Sequence, residues 1–171
     1  MLDDPRLDAF EDLFIRHYPR VYAVLCRLVG RPDEAEDLAL EAFWRLWRHH
    51  DDVEKNGEAW LYRVAANLGY NALRAGRRRE NYELQAGKQA LEESPIDDPP
   101  AAFDRLEQIE RVRSTLRRMA PRQAQLLALR HAGLSYKELA EALGVAPNSI
   151  GTLLARAEAE FETLFLIDGQ P

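Results

Sequence analysis

The chain has 171 residues, enough for one ordinary domain or two small ones, with 46% hydrophobic residues and a formal net charge of −6. That sign excludes a protein that simply coats nucleic acid, and a single cysteine excludes a disulfide framework. No C-x-x-C or H-E-x-x-H spacing, basic-then-apolar leader or membrane-length apolar run occurs, so a reduced, soluble, cytoplasmic protein without membrane insertion is expected.

From about Arg6 to Val29, Leu7, Phe10, Leu13, Phe14, Tyr18, Val21, Tyr22, Leu25 and Leu28 recur at three- and four-residue steps, the stripe of one helix. Pro19 should kink that helix or reset it locally, because proline lacks the amide hydrogen the helical ladder uses. Cys26, inside VYAVLCRLV, reads as a buried structural thiol. Gly30 ends the helix, and Pro32 with Asp33 and Glu34 opens the next, about Asp33 to His49, with Leu38, Ala42 and Leu46 on one face. A third helix starts near Asn56 or Gly57 and runs through AWLYRVAANLGYNALRAGRRR. Its expected core face carries Trp60, Val64 and Leu68.

Between about Gln85 and Ala102 the pattern changes. ESPIDDPPAA combines acids with three prolines, which suits a stiffened, extended connection. Helical spacing resumes from Phe103 to Met119, and Pro121 opens a helix with Leu126, Leu127 and Leu129. Gly133 breaks it, Ser135 with Glu138 forms a capping box for the next, Gly144 ends that one, and Pro147 opens the last. No strand alternation appears. The expected architecture is all-α: two small helical domains, 1–84 and 103–171, joined by a flexible acidic linker, 85–102, with a helix-turn-helix in the second.

Charge is segregated. Between Glu58 and Arg79 stand Arg63, Arg74, Arg77, Arg78 and Arg79 against one acid, and from Arg111 to Ser135 there are six arginines and no acid. Two basic zones in an acidic chain point to two contacts with a polyanion. In the third helix Trp60, Tyr62 and Tyr70 interleave with Arg63, Asn67, Asn71 and Arg74; single-stranded DNA needs such rings for stacking and such cations for phosphate. In FWRLWRHH one face cannot bury Phe43, Trp44 and Trp47 together, so aromatics flanked by Asp37, Glu41, Arg45 and Arg48 suit a protein interface. The HHDD run places adjacent ligands at a helix end, which is poor metal geometry. With four scattered histidines and no glycine-rich phosphate loop, no catalytic residue, metal or cofactor is expected.

Three stretches together resemble the bacterial RNA polymerase sigma factors of the extracytoplasmic-function group. EAEDLALEAFWRLWRH looks like the polymerase-binding helix of their region 2, and AWLYRVAANLGYNALRAGRRR like the strand-opening, minus-ten-reading helix that follows. LRRMAPRQAQLLALRHAGLSYKELAEALGVAPNSIGTLLARA is similar to region 4, which reads the minus-thirty-five element. The resemblance implies docking on the β′ clamp helices of core RNA polymerase through Asp37, Glu41, Phe43, Arg45 and Trp47, with a second contact to the β flap. It implies capture of an extruded base by the loop from about Asp51 to Gly57, including Asn56. The separated minus-ten strand would lie along Arg63, Asn67, Asn71, Arg74, Arg77 and Arg78. Promoter DNA and an anti-sigma protein are the further partners it implies.

The chain departs from that family in places. Leu40 stands where a glutamine is frequent, and Gly151 and Leu153 stand where lysine or arginine is common. In the last helix Ile150, Leu153 or Leu154, Ala157 and Phe161 form the expected buried stripe. Asn148, Gly151, Thr152, Ala155 and Arg156 form the outward one, so only its N-terminal turns, ahead of Glu158, Glu160 and Glu162, can enter a groove. Asn148, Ser149, Thr152 and Arg156 are the expected readers. Arg117, Arg118, Arg122, Arg130 and Lys137 are the expected phosphate contacts. A stand-alone helix-turn-helix regulator and a protein-binding decoy that no longer reads DNA are the alternatives.

Overall fold

The computed structural model describes residues 5–49, 53–85 and 99–167, with no strand among them. The first helix, α1 (Pro5–Val29), continues through Pro19, so the proline does not divide it in two. The carbonyl that loses its partner there belongs to Ile15, and both residues are exposed, so water can take the place of the missing amide. Gly30 ends α1 in the left-handed region (φ +73°), its amide donating to the Cys26 carbonyl at 2.9 Å. In α2 (Pro32–His49) the acids Asp33 and Glu34 stand in the first turn, at the positive end of the helix dipole. Ala35, Ala39, Ala42, Phe43 and Leu46 face inward. The third helix, α3, spans Val53–Gln85, so most of the loop expected between Asp51 and Gly57 is its first turn. These helices pack on one another, and Phe43 lies among Phe14, Tyr18 and Phe10, with ring centroids 4.6, 6.1 and 6.3 Å away.

The second set begins with α4 (Pro99–Arg118), four residues earlier than expected, because proline is compatible with a first helical turn. The rest of the acidic stretch, 86–98, lies outside the described residues. Then come α5 (Pro121–His131), α6 (Tyr136–Leu143), a 3-10 turn over Pro147–Ser149 and α7 (Ile150–Ile167). The capping box of α6 is fully formed: Glu138 donates its amide to Ser135 Oγ at 3.3 Å, and Ser135 donates its own to Glu138 Oε2 at 2.6 Å. Such a cap is worth about 1 kcal/mol.

The two sets are in direct contact. Helix α3 packs on α4, α5 and α6, and α1 packs on α4 and α5. Buried apolar side chains of both sets form one continuous core. Polar ties cross it: Tyr70 Oη donates to the Met119 carbonyl at 3.0 Å, and Arg20 Nη1 to Glu138 Oε1 at 2.9 Å. Cys26 is a half-buried free thiol in a groove of about 900 Å³ between the sets, beside Tyr22, Val112 and Phe161.

Candidate polymerase and nucleic-acid interfaces

The periodicity of α7 decides what it can offer DNA. Ile150, Leu154 and Ala157 are buried, and Leu153 and Phe161 are half-buried, which turns Asn148, Gly151, Thr152, Ala155 and Arg156 outward together. Ser149, inside the 3-10 turn, is half-buried. Ala146 supplies no side-chain cap at this end. Of the acids that follow, Glu158 and Glu162 are exposed, whereas Glu160 turns inward and accepts the Ala120 amide at 3.3 Å. Beside Gly151 lies the exposed ring of Tyr136, with the Arg130 guanidinium 5.5 Å from its centroid. Periodicity within α7 could not have placed Tyr136 there, since the contact crosses from one helix to the next.

The basic zone of the second set is only partly available. The Arg111 guanidinium lies 4.1 Å from the Phe165 ring centroid and donates to the Phe165 carbonyl at 3.0 Å. Arg113 donates to Glu110 at 2.8 Å and to the Leu28 carbonyl at 3.3 Å. Arg117 pairs with Glu110, and its side chain is largely buried. Arg111 and Arg113 tie α4 to other helices, and Arg117 is held along α4 by Glu110, so Arg117 is removed from the expected phosphate contacts. Arg118, Arg122, Arg130 and Lys137 remain exposed. Arg122 also donates to the Leu143 carbonyl at 2.9 Å and Arg130 to the Leu134 carbonyl at 3.0 Å, which fixes both beside the helix-turn-helix.

Along α3 the stripe Arg63, Asn67, Asn71 and Arg74 is exposed as its spacing predicts. The aromatic platforms are not. Tyr62 and Tyr70 are 0% and 3% exposed, so neither ring can stack on a base in this arrangement. Tyr62 Oη instead meets Nδ1 of the buried His17 at 3.1 Å, and burial pushes its pKa up to about 12. Trp60, Val64 and Leu68 are half-buried at the edge of the core, while Leu61, Ala65 and Leu73 occupy its centre. The side chains of Asn56, Arg77 and Arg78 lie outside the described residues.

On α2, Asp37 and Arg45 are exposed, and Arg45 Nε pairs with Glu41 at 2.7 Å. Trp47 is half-buried, 5.1 Å from the Phe10 ring, with the Arg6 guanidinium 4.7 Å from its centroid. Phe43 is only 2% exposed, which corrects its expected place on a docking surface: it packs in the core beneath the exposed face of α2. The exposed aromatic is Trp44, 55% accessible, with Arg48 nearby and Leu40 exposed one turn earlier. The signal was present in the sequence, since Trp44 lies about 100° around the helix from Phe43.

Among the described residues no helix is long and apolar enough to cross a membrane. Residues 13–79 match the model of sigma-70 region 2, and residues 109–161 that of sigma-70 region 4. Over 164 residues the chain is 30% identical to RNA polymerase sigma factor CarQ of Myxococcus xanthus, covering 94% of this chain and 90% of that protein. It is 29% identical over 163 residues to ECF RNA polymerase sigma factor SigE of Mycolicibacterium smegmatis, covering 90% of this chain and 59% of that one. Its fold is similar to that of the sigma factor RpoE solved in complex with the anti-sigma factor NepR from Bartonella quintana (TM-score 0.54, 23% identity, 93% of this chain and 98% of that one). With both sigma regions in order along one all-helical chain, this protein belongs to the extracytoplasmic-function sigma factors, which direct RNA polymerase to promoters.

Proposed function

We propose that this sigma factor divides its work among three surfaces. The α2 face with Asp37, Glu41, Arg45, Trp47 and Trp44 docks on the polymerase clamp. The α3 stripe with Arg63, Asn67, Asn71 and Arg74 takes the separated minus-ten strand, with Asn56, Arg77 and Arg78 extending it at either end. The N-terminal turns of α7 read the upstream element through Asn148, Ser149, Thr152 and Arg156, while Arg118, Arg122, Arg130 and Lys137 hold phosphates. The protein acts in the cytoplasm and is not itself an enzyme; the polymerase performs the chemistry. An anti-sigma protein is a further partner, a reading supported by the relative solved in such a complex.

The observation that carries this reading is the outward stripe of α7. It combines small side chains, which permit close approach, with one long cation at Arg156, and it is backed by buried Ile150, Leu154 and Ala157. Start-site mapping after overexpression supplies the promoter, and affinity of the reconstituted holoenzyme is then measured on matched and scrambled upstream elements. Arg156→Ala should lose about 1–3 kcal/mol on the matched element alone. Lys137→Ala should weaken both equally and reduce the salt slope by about 1. Equal losses for both variants on both elements overturn the division between base reading and phosphate anchoring.

A further inference from the structure

The groove of about 900 Å³ beside Cys26 takes no part in the three surfaces assigned above. Its volume lies within the range of small-molecule pockets, roughly 300–1,000 Å³. Four helices supply its walls: Tyr22 and Cys26 from α1, Ile109 and Val112 from α4, Leu127 from α5 and Phe161 from α7. Leu116, Leu127 and Ala128 are buried along it, whereas Ile109 and Val112 stay exposed. An apolar body seated there would take both side chains out of water.

The charged residues of the groove run against the acidic balance of the chain. Arg27, Arg105 and Arg113 line it, with Glu158 as the acid among the lining residues. Arg113 is answered by Glu110 at 2.8 Å. Arg27 and Arg105 are exposed, and Arg27 donates once, to the Ala23 carbonyl of its own helix at 3.1 Å. A guanidinium has five N–H donors in a fork that fits a carboxylate, so most of this capacity is left over. Two such charges beside one carboxylate leave an excess of one, which a monoanion neutralises. A phosphate head, carrying close to two charges, would set a larger like charge against Glu158. A membrane surface takes up a protruding apolar face, and Ile109 and Val112 line a recess.

We propose that this groove binds a free long-chain fatty acid, with the acyl chain along Ile109, Val112 and Leu116 and the carboxylate at Arg27 and Arg105.

The test uses the full chain. Cys26 is its single cysteine and lines the same groove, so the rate of Cys26 alkylation reports occupancy directly. Dodecanoate, kept below its micelle concentration, should slow reaction with a maleimide saturably. It should also raise the melting temperature, because a ligand of the folded state stabilises that state. Affinity should increase roughly fourfold for each CH₂ added between octanoate and dodecanoate. Dodecanol, without the charge, should bind about tenfold more weakly. Arg27→Gln with Arg105→Gln should abolish that preference, and Val112→Trp should fill the groove and weaken both ligands. All three positions are exposed, so these variants leave the core intact. Faster alkylation with a falling melting temperature marks a denaturing amphiphile and overturns the site, as does no protection at any chain length. Equal binding of dodecanoate and dodecanol, or a preference that survives loss of both arginines, overturns the carboxylate assignment. Protection by phosphatidylglycerol vesicles but not by dodecanoate gives the groove to a membrane. Protection by an acidic amphipathic helical peptide alone gives it to a protein partner, and either result overturns the fatty-acid site.

Discussion

His17 is the buried ionisable group on α1, with Nδ1 3.1 Å from Tyr62 Oη and 3.7 Å from a Glu58 carboxylate oxygen. Burial holds its pKa below the ordinary value of 6.5, and the positive charges of Arg16 and Arg20 add to this while Glu138 opposes it. The imidazole is therefore neutral at pH 7, and the Glu58 contact is polar rather than an ion pair. Below the unfolded value the unfolded chain takes a proton that the folded chain refuses, so stability falls as pH drops. Glu58, whose carboxyl is raised mainly by desolvation and then by the charge of Glu138, acts with the opposite sign, and it does so nearer the carboxylate range. Between about pH 7.5 and 6, a window set by ordinary histidine titration, wild-type melting temperature should decline and His17→Gln should flatten the decline. An unaltered slope in stepped-pH thermal unfolding removes His17 as the cause. Phe43 and Trp44 make a contrasting pair. Phe43→Ala empties the centre of an aromatic cluster and should destabilise by about 3–5 kcal/mol. Trp44→Ala should leave the melting temperature nearly unchanged yet weaken core-polymerase binding by about 2 kcal/mol, the scale of an interface hot spot. Loss of stability without loss of binding in Trp44→Ala assigns that ring to folding.

At the scale of the helix, the first turn of α7 combines low helix propensity, through Gly151 and Thr152, with an exposed surface. Gly151 is exposed and helical, and a Cβ built there meets nothing nearer than the Tyr136 ring at 3.9 Å, an ordinary contact. Gly151→Arg should therefore gain roughly 1 kcal/mol in helix propensity. It also adds a cation to the outward stripe, so holoenzyme affinity for duplex promoter DNA should rise with a salt slope steeper by about 0.9, the release of one counterion. A stabilised helix with an unchanged salt slope places position 151 away from the phosphates. The outward stripe of α7 was legible because it depends on local period, and the capping box of α6 because Ser135 and Glu138 stand three residues apart. The polar stripe of α3 was legible, but its core face was not. Its expected core residues Trp60, Val64 and Leu68 sit at the margin, because α1 and α2 cover one flank of α3 and α5 and α6 another. A single-helix pattern cannot show a second covering layer. The arginines mislead for the same reason: Arg111 finds its carbonyl 54 residues away, and Arg113 finds one 85 residues away.

Across the whole molecule, two helical sets share one core, and polar side chains tie them together. The chain is acidic overall, and Arg111, Arg113 and Arg117 are committed internally, so little positive charge is left for an isolated grip on DNA. Affinity then has to come from the polymerase complex, which fits a sigma factor better than a stand-alone regulator. The shared core also has a thermodynamic signature. Sets that unfold together give one calorimetric transition whose van't Hoff and calorimetric enthalpies agree, and this is the outcome expected for the wild-type chain. Gly30 offers a way to uncouple them. A side chain there is strained at φ +73°, by about 1–2 kcal/mol for a non-glycine residue. Its Cβ would also lie 2.7 Å from Arg113 Nη1, and the guanidinium can move aside only by leaving the Leu28 carbonyl. Gly30→Ala therefore weakens the first set and one of its ties to the second in a single step. Differential scanning calorimetry should show the one transition broaden or split, with the earlier component assigned to the first set. One sharp transition at a lower temperature would mean that the strain stays local and the Arg113 tie contributes nothing to coupling. Two resolved transitions already present in the wild type would mean that the sets, though packed together, fold independently.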